Sequence, residues 1–185
     1  FMTELPTVKD LAEASEDKLL KLWEGLGYYN RVRNMQKAAQ KIEEEYAGKF
    51  PENYEEIKAL PGIGNYTAGA ISSFAYGIPK PAVDGNVLRV VSRLLASDED
   101  IMKASVRTKI ENAIEPVIPE DAASDFNQGL IELGAIVCVP NGEAKCEICP
   151  LTGICEAKRL GIQNELPVKK KAKARRIEKK TVFLF

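Results

Sequence analysis

Four cysteines fall in one window, Cys138-x7-Cys146-x2-Cys149-x5-Cys155, and the chain has no others. Spacing this tight points to a metal or cluster site rather than to scattered core thiols. Disulfides fit poorly, because a Cys-x2-Cys pair is tight for bridging and the sequence carries no sign of secretion. The chain has no histidine, so every metal ligand must be sulfur or carboxylate. Structural zinc commonly draws on two Cys-x2-Cys knuckles, and there is one here. An iron–sulfur cubane tolerates unequal loops between its thiolates. The spacing favours the cluster slightly and leaves zinc open.

Two further stretches carry chemistry. Leu60-Pro61-Gly62-Ile63-Gly64 has no charge, and its alternating glycines allow a sharp turn with positive φ. Ile63 can tuck inward while the amides of Gly62, Gly64 and the next helix start point outward, free for an anion. A plain helix–helix turn explains the same residues. Twenty residues on, Asp84 closes the proline-marked run Gly77-Ile78-Pro79-Lys80-Pro81-Ala82-Val83. Ahead of the apolar-periodic Leu88, Val90, Val91 and Leu94, it reads as a helix N-cap. Its stiff, partly desolvated setting also suits a carboxylate beside a cationic, oxocarbenium-like sugar, as in glycosidic bond cleavage.

The elements that must position these groups are helical. Leu19, Leu20, Trp23 and Leu26 form one apolar stripe, with Ser15 as N-cap and Glu16 and Asp17 in the first turn. Val32, Met35, Ala39, Ile42 and Tyr46 form a second, closed by Gly48. A short helix is expected around Glu55–Ala59, then longer ones near Tyr66–Tyr76 and Asn86–Ala96. Val106, Ile110, Ala113, Ile114 and Val117 mark another, and Phe126, Leu130, Leu133 and Val137 the last long one. Period-2 alternation occurs only at Thr181–Phe185, after a basic stretch, and reads as the first strand of a further domain.

A net charge of −1 averages unlike parts. From Leu166 onward there are eight basic residues and one acid, leaving 18 basic against 26 acidic side chains in the body, net −8. Overall electrostatics therefore repel a polyanion, and any nucleic-acid binding must rest on local features. The basic stretch reads first as a solvated linker and second as a phosphate-binding arm. No run reaches the roughly 18 apolar residues of a spanning helix, so no membrane partner is expected. With Phe1 ahead of Met2, upstream sequence is expected to be missing.

Taken in order, Leu22-Trp23-Glu24-Gly25-Leu26-Gly27-Tyr28-Tyr29 with Arg31-Val32-Arg33-Asn34, Leu60–Ile71, Val83–Val90 and the cysteines resemble one family. It is the helix–hairpin–helix, Gly/Pro-Asp superfamily of DNA glycosylases, and within it the A/G-mismatch adenine DNA glycosylases (MutY type). The resemblance covers roughly Phe1 to Leu166. It implies an all-α fold: a six-helix barrel with a helix–hairpin–helix motif over 1–118, an iron–sulfur cluster subdomain over 119–165, and a basic linker over 166–185.

By that resemblance Asp84 is the catalytic aspartate and Asn86 helps order its site. Tyr66 stands where endonuclease III-type enzymes carry a Schiff-base lysine, and a phenol cannot form that imine. Leu60, Gly62, Gly64, Tyr66, Thr67 and Arg31 fall to DNA binding, although Arg31 and the Tyr28–Tyr29 pair are equally readable as helix packing. Cys138, Cys146, Cys149 and Cys155 ligate a 4Fe-4S cluster. The implied reaction is hydrolysis of the N-glycosidic bond of adenine opposite 8-oxoguanine or guanine, with the base flipped from the duplex. The implied partner is double-stranded DNA carrying that mismatch, bound by a monomer in the bacterial cytoplasm, at the nucleoid.

Two departures stand out. The family's general-acid glutamate, near a Gln-Gln-Thr motif, has no counterpart here, so a fragment with little or no excision of its own is expected. Seven residues separate Cys138 from Cys146 where six are usual, which a wider turn at Pro140-Asn141-Gly142 absorbs. An endonuclease III-like or thymine-mismatch glycosylase, or a non-catalytic DNA-binding module, remains the alternative.

Overall fold

Side-chain caps open several of the helices in the computed structural model, which describes residues 1–170. Every α-, 3-10 and π-type element among them is helical, and no strand occurs. Thr7 opens α1 (Val8–Glu13) with a capping box, its hydroxyl accepting from Asp10 N–H at 3.1 Å and the Asp10 carboxylate accepting from Thr7 N–H at 3.0 Å. This helix buries no side chain, so no apolar stripe announces it. Ser15 caps α2 (Glu16–Leu22) as expected, accepting from Lys18 N–H at 3.3 Å.

The stripe expected to run on to Leu26 stops short. Trp23 ends α2, and Gly25, Gly27 and Tyr28 all take positive φ. The indole N–H of Trp23 donates to Gly27 C=O at 2.9 Å and pins this loop, leaving Leu26 66% exposed. Next, α3 (Asn30–Tyr46) buries Val32, Ala39 and Ile42 and closes on the left-handed Ala47. Leu5, Leu19 and Val32 make the first core, with Phe1 edge-on to Trp23.

Next come α4 (Tyr54–Lys58), α5 (Asn65–Tyr76), α6 (Gly85–Leu94), α7 (Ala104–Ile114) and α8 (Ala123–Glu132). The apolar faces of α6, α7 and α8 meet in a second core, where Val87, Leu88 and Val91 of α6 join Val106, Ile110 and Ile114 of α7, with Phe126 and Leu130 of α8 at its edge. Each such buried aliphatic chain contributes about 2 kcal/mol through burial. Pro116, lacking an N–H, ends the α-pattern of α7, and Val117, expected on its stripe, turns out 61% exposed.

The last long helix divides. It is α-helical to Glu132 and continues as a π-type turn over Leu133–Val137, closed by Cys138 N–H donating to Leu133 C=O at 2.7 Å. Here Gly134 lies against Asn86, so close that a Cβ would stand 2.6 Å from the Asn86 Cβ. A 3.6-residue apolar period cannot reveal such a widened turn. Two 3-10 turns, Cys146–Ile148 and Thr152–Ile154, lead to α9 (Glu156–Leu160).

The stretch from Leu166 to Lys170 returns to the body. Leu166 is buried, Ile101 N–H donates to Val168 C=O at 3.1 Å, and Lys170 N–H donates to the Asp100 carboxylate at 3.3 Å. The strand expected at Thr181–Phe185 lies outside the described residues. No described helix is long and apolar enough to cross a membrane.

Candidate functional site

Leu60 to Gly64 joins α4 to α5 as a hairpin. Leu60 is buried, and Ile63 is half-buried with its N–H closing on Leu60 C=O at 3.2 Å. Gly62 has φ +80°, and a Cβ there would come within 2.5 Å of Asn34 Cβ on α3. Only glycine meets both demands. The amides of Gly62 and Gly64 donate to no protein acceptor among the described residues, and Gly64 caps α5 with no side chain. The start of α5 is therefore a concave group of free N–H donors at the positive end of a helix.

Arg31 and Thr67 line one cavity with Pro61 and Gly62. Arg31 is exposed and makes no ion pair among the described residues. Tyr66 is 39% exposed on the first turn of α5, and no hydrogen bond links it to Asp84 or Asn86. Tyr28 is 83% exposed at φ +49°, a conformation that costs an ordinary residue about 1 kcal/mol. At that exposure its ring is not packed between helices.

Asp84 is the N-cap of α6, so the simpler sequence reading is correct as geometry. Its Oδ1 accepts from Asn86 N–H at 2.8 Å and Val87 N–H at 2.9 Å, while Oδ2 accepts from Asn86 Nδ2 at 2.8 Å. Both oxygens are held, and the side chain remains half-exposed. Capping and chemistry are compatible here, because a carboxylate fixed by three donors keeps lone pairs free for a second partner.

From this N-cap, α6 leads to the cysteines. Arg89, buried, donates from Nη2 to Asn86 Oδ1 at 2.8 Å and to Gly134 C=O at 2.6 Å, and from Nε to Cys138 C=O at 2.8 Å. Burial lowers its pKa from the usual guanidinium range, with Arg93 adding; the Cys138 sulfur and the Asp84 carboxylate pull the other way. Arg93, also buried, donates to Cys138 Sγ at 3.2 Å, Val139 C=O at 3.0 Å and Leu166 C=O at 2.9 Å.

Cys138, Cys146, Cys149 and Cys155 line one cavity, and none forms a disulfide. Burial pushes the Cys149 thiol up, an N–H from Leu151 opposes it, and the other three sulfurs raise it further. No group of three His, Cys, Asp or Glu among the described residues is spaced for a single ion. Tetrahedral zinc would need sulfurs roughly 3.8 Å apart, from bonds of about 2.3 Å. The four thiols around one cavity are a donor set that suits either zinc or an iron–sulfur cluster.

Residues 1–116 match the sequence pattern of the HhH-GPD superfamily base excision DNA repair proteins. The chain belongs to that family. Among its curated relatives, human adenine DNA glycosylase is 40% identical over 167 residues, which is 90% of this chain and 30% of the relative. Adenine DNA glycosylase of Buchnera aphidicola subsp. Schizaphis graminum is 36% identical over 184 residues, 100% of this chain and 52% of the relative. The chain thus spans about a third to a half of the curated relatives it matches. The fold is similar to a thermostable thymine-DNA glycosylase (TM-score 0.76, 26% identity, 86% of this chain and 73% of that one). It is also similar to endonuclease III in a non-covalent DNA complex (TM-score 0.73, 28% identity, 88% of this chain and 74% of that one).

Within this HhH-GPD chain, sequence reading passed over Arg89, Arg93 and Asn127, all buried. A signal existed for the arginines: two cations four residues apart on a helix otherwise apolar around them. Asn127 gave none, since one amide on an amphipathic helix is ordinary.

Proposed function

We propose that the whole protein is a monofunctional adenine DNA glycosylase, hydrolysing the N-glycosidic bond of adenine opposite 8-oxoguanine or guanine in duplex DNA. The observation that carries this reading is Asp84, a half-exposed carboxylate fixed by three donors, in an HhH-GPD chain 40% identical to an adenine DNA glycosylase. A sugar losing adenine develops positive charge, and a preoriented anion stabilises it without reorganising. Tyr66 offers a phenol, which forms no imine with the sugar, so strand cleavage by β-elimination is not expected.

Duplex DNA binds across the free amides of Gly62, Gly64 and the first turn of α5, which take a backbone phosphate without needing a cation. Arg31 and Thr67 border that position. The exposed ring of Tyr28 suits stacking against a base in the opened duplex. Local donors of this kind reconcile DNA binding with an acidic body.

Cys138, Cys146, Cys149 and Cys155 are the residues that hold a 4Fe-4S cluster. Bound, it supplies a rigid cross-link for the loops after α8 through four iron–thiolate bonds. Arg93 holds the Cys138 sulfur, and Arg89 holds the adjoining backbone against α6.

The test is single-turnover base release by the whole protein on duplexes holding adenine opposite 8-oxoguanine, adenine opposite guanine, and thymine opposite guanine. Adenine release that vanishes in Asp84→Asn, with duplex binding kept, supports the reading. Release of thymine in place of adenine, or a borohydride-trapped enzyme–DNA adduct, would replace it with a thymine-mismatch or lyase activity.

A further inference from the structure

Asp84 follows a loop that three helices clamp. Lys80-Pro81-Ala82 cannot form an ordinary ladder, since Pro79 and Pro81 have no N–H. Asn127 on α8 serves that backbone instead. Its Oδ1 accepts from Ala82 N–H at 2.9 Å, and its Nδ2 donates to Lys80 C=O at 3.0 Å and to Ala123 C=O at 3.0 Å. The amide copies a peptide unit, presenting donor and acceptor to the two free groups that flank Pro81. It does so at 2% exposure, where an unmade hydrogen bond is costly.

The opposite side of the loop has no slack. A Cβ on Gly69 of α5 would stand 1.9 Å from Pro81 C=O, so the loop rests directly on that helix. From α7, Arg107 Nη1 donates to Val83 C=O at 2.8 Å. The Lys80 side chain is tied to Glu115 and lies over the Tyr54 ring at 5.0 Å. Ala82 and Val83 are fully buried. Ala82 stands two residues before Asp84 in this clamped loop, so its backbone position bears on where that carboxylate sits.

We propose that Asn127 is a positioning residue for Asp84: by pairing with Lys80 C=O and Ala82 N–H it sets where the carboxylate stands relative to the bound sugar. The proposal rests on the reading of Asp84 as the carboxylate beside the reacting sugar. Asn127 itself touches neither sugar nor base. Asn127→Asp keeps the acceptor for Ala82 N–H but loses both donations and sets a charge against two carbonyl oxygens. Gly69→Ala pushes the same loop from the far side.

The experiment uses the whole protein and duplex with adenine opposite 8-oxoguanine. Single-turnover release, duplex Kd and thermal midpoint are measured for both variants, with Asp84→Asn alongside. Release is expected to fall about 100-fold in Asn127→Asp, the scale of a misplacement near 1 Å, with Kd held within about threefold. Gly69→Ala should show the same split between rate and affinity, and decides the matter if Asn127→Asp does not fold. Release within about threefold of the native rate, or parallel loss of rate, affinity and thermal midpoint, overturns the positioning role. If Asp84→Asn also leaves release intact, the functional reading itself has failed; if Asp84→Asn abolishes release while the loop variants do not, only the positioning role falls.

Discussion

Asn86 closes on Asp84 twice, its backbone N–H reaching Oδ1 at 2.8 Å and its side-chain Nδ2 reaching Oδ2 at 2.8 Å. Asn86 Oδ1 is in turn held by Arg89 at 2.8 Å, so the carboxylate's second oxygen is oriented from the same side as the cysteine loop. Replacing Asn86 with Ala leaves the backbone cap intact and frees Oδ2. Adenine release by the whole protein should drop about 10- to 100-fold, with the thermal midpoint little changed. A native rate in a single-turnover assay would show that Oδ1 alone is sufficient.

Arg93 is the buried cation nearest the cysteines, 3.2 Å from Cys138 Sγ. Arg93→Met keeps bulk but leaves Val139 and Leu166 carbonyls without a partner. Stability should fall by about 2–3 kcal/mol in denaturant titration, because buried acceptors lose charge-assisted bonds. Lys in its place should recover little, since one ammonium cannot serve three divergent acceptors.

Cys149 lines the same cavity as the other three cysteines, and burial first, then their sulfurs, raise its pKa. Cys149→Ser should remove visible cluster absorption and lower bound iron and sulfide. If zinc analysis is positive instead and iron is absent from the native protein, the cluster assignment is wrong.

The hairpin makes a prediction separable from chemistry. Gly62→Ala forces a side chain into φ +80° and against Asn34, so duplex affinity should fall while metal content is unchanged. Arg31→Ala should instead weaken binding modestly and reduce the slope of log Kd against log salt by about one. Fluorescence anisotropy over a salt series distinguishes the two.

Tyr54 supplies the pH test. Burial raises its hydroxyl pKa first, and the carboxylates of Glu111, Glu55 and Glu115 raise it further. With the folded value above the unfolded one, its contribution is complete below the unfolded pKa of about 10 and is lost as pH rises through the folded value. Alkaline denaturation profiles should decline there, and Tyr54→Phe should flatten the decline.

Helix content, the Ser15 cap, the Leu60–Gly64 hairpin and the cysteine cluster were legible in the sequence, because each depends on short-range chemistry. Apolar period, cap hydroxyls and glycine freedom act within a few residues. The break after Trp23, the π-type turn at Leu133 and the partners of Arg89, Arg93 and Asn127 were not legible. The last two answer to neighbours distant in sequence, since Gly134 meets Asn86, Arg93 meets Cys138, and Asn127 meets Lys80 and Ala82. The break after Trp23 is instead a local turn of unusual backbone, with no apolar period to mark it.

For Asp84 the two levels divide cleanly. Its type and its place before an apolar-periodic helix determined that it would cap α6. Tertiary structure decided what that cap is attached to: a loop pressed on Gly69, paired with Asn127, and joined through Asn86 and Arg89 to the cysteines. A cap is local because its donors lie within three residues, whereas a rigid position needs contacts that only packing brings together.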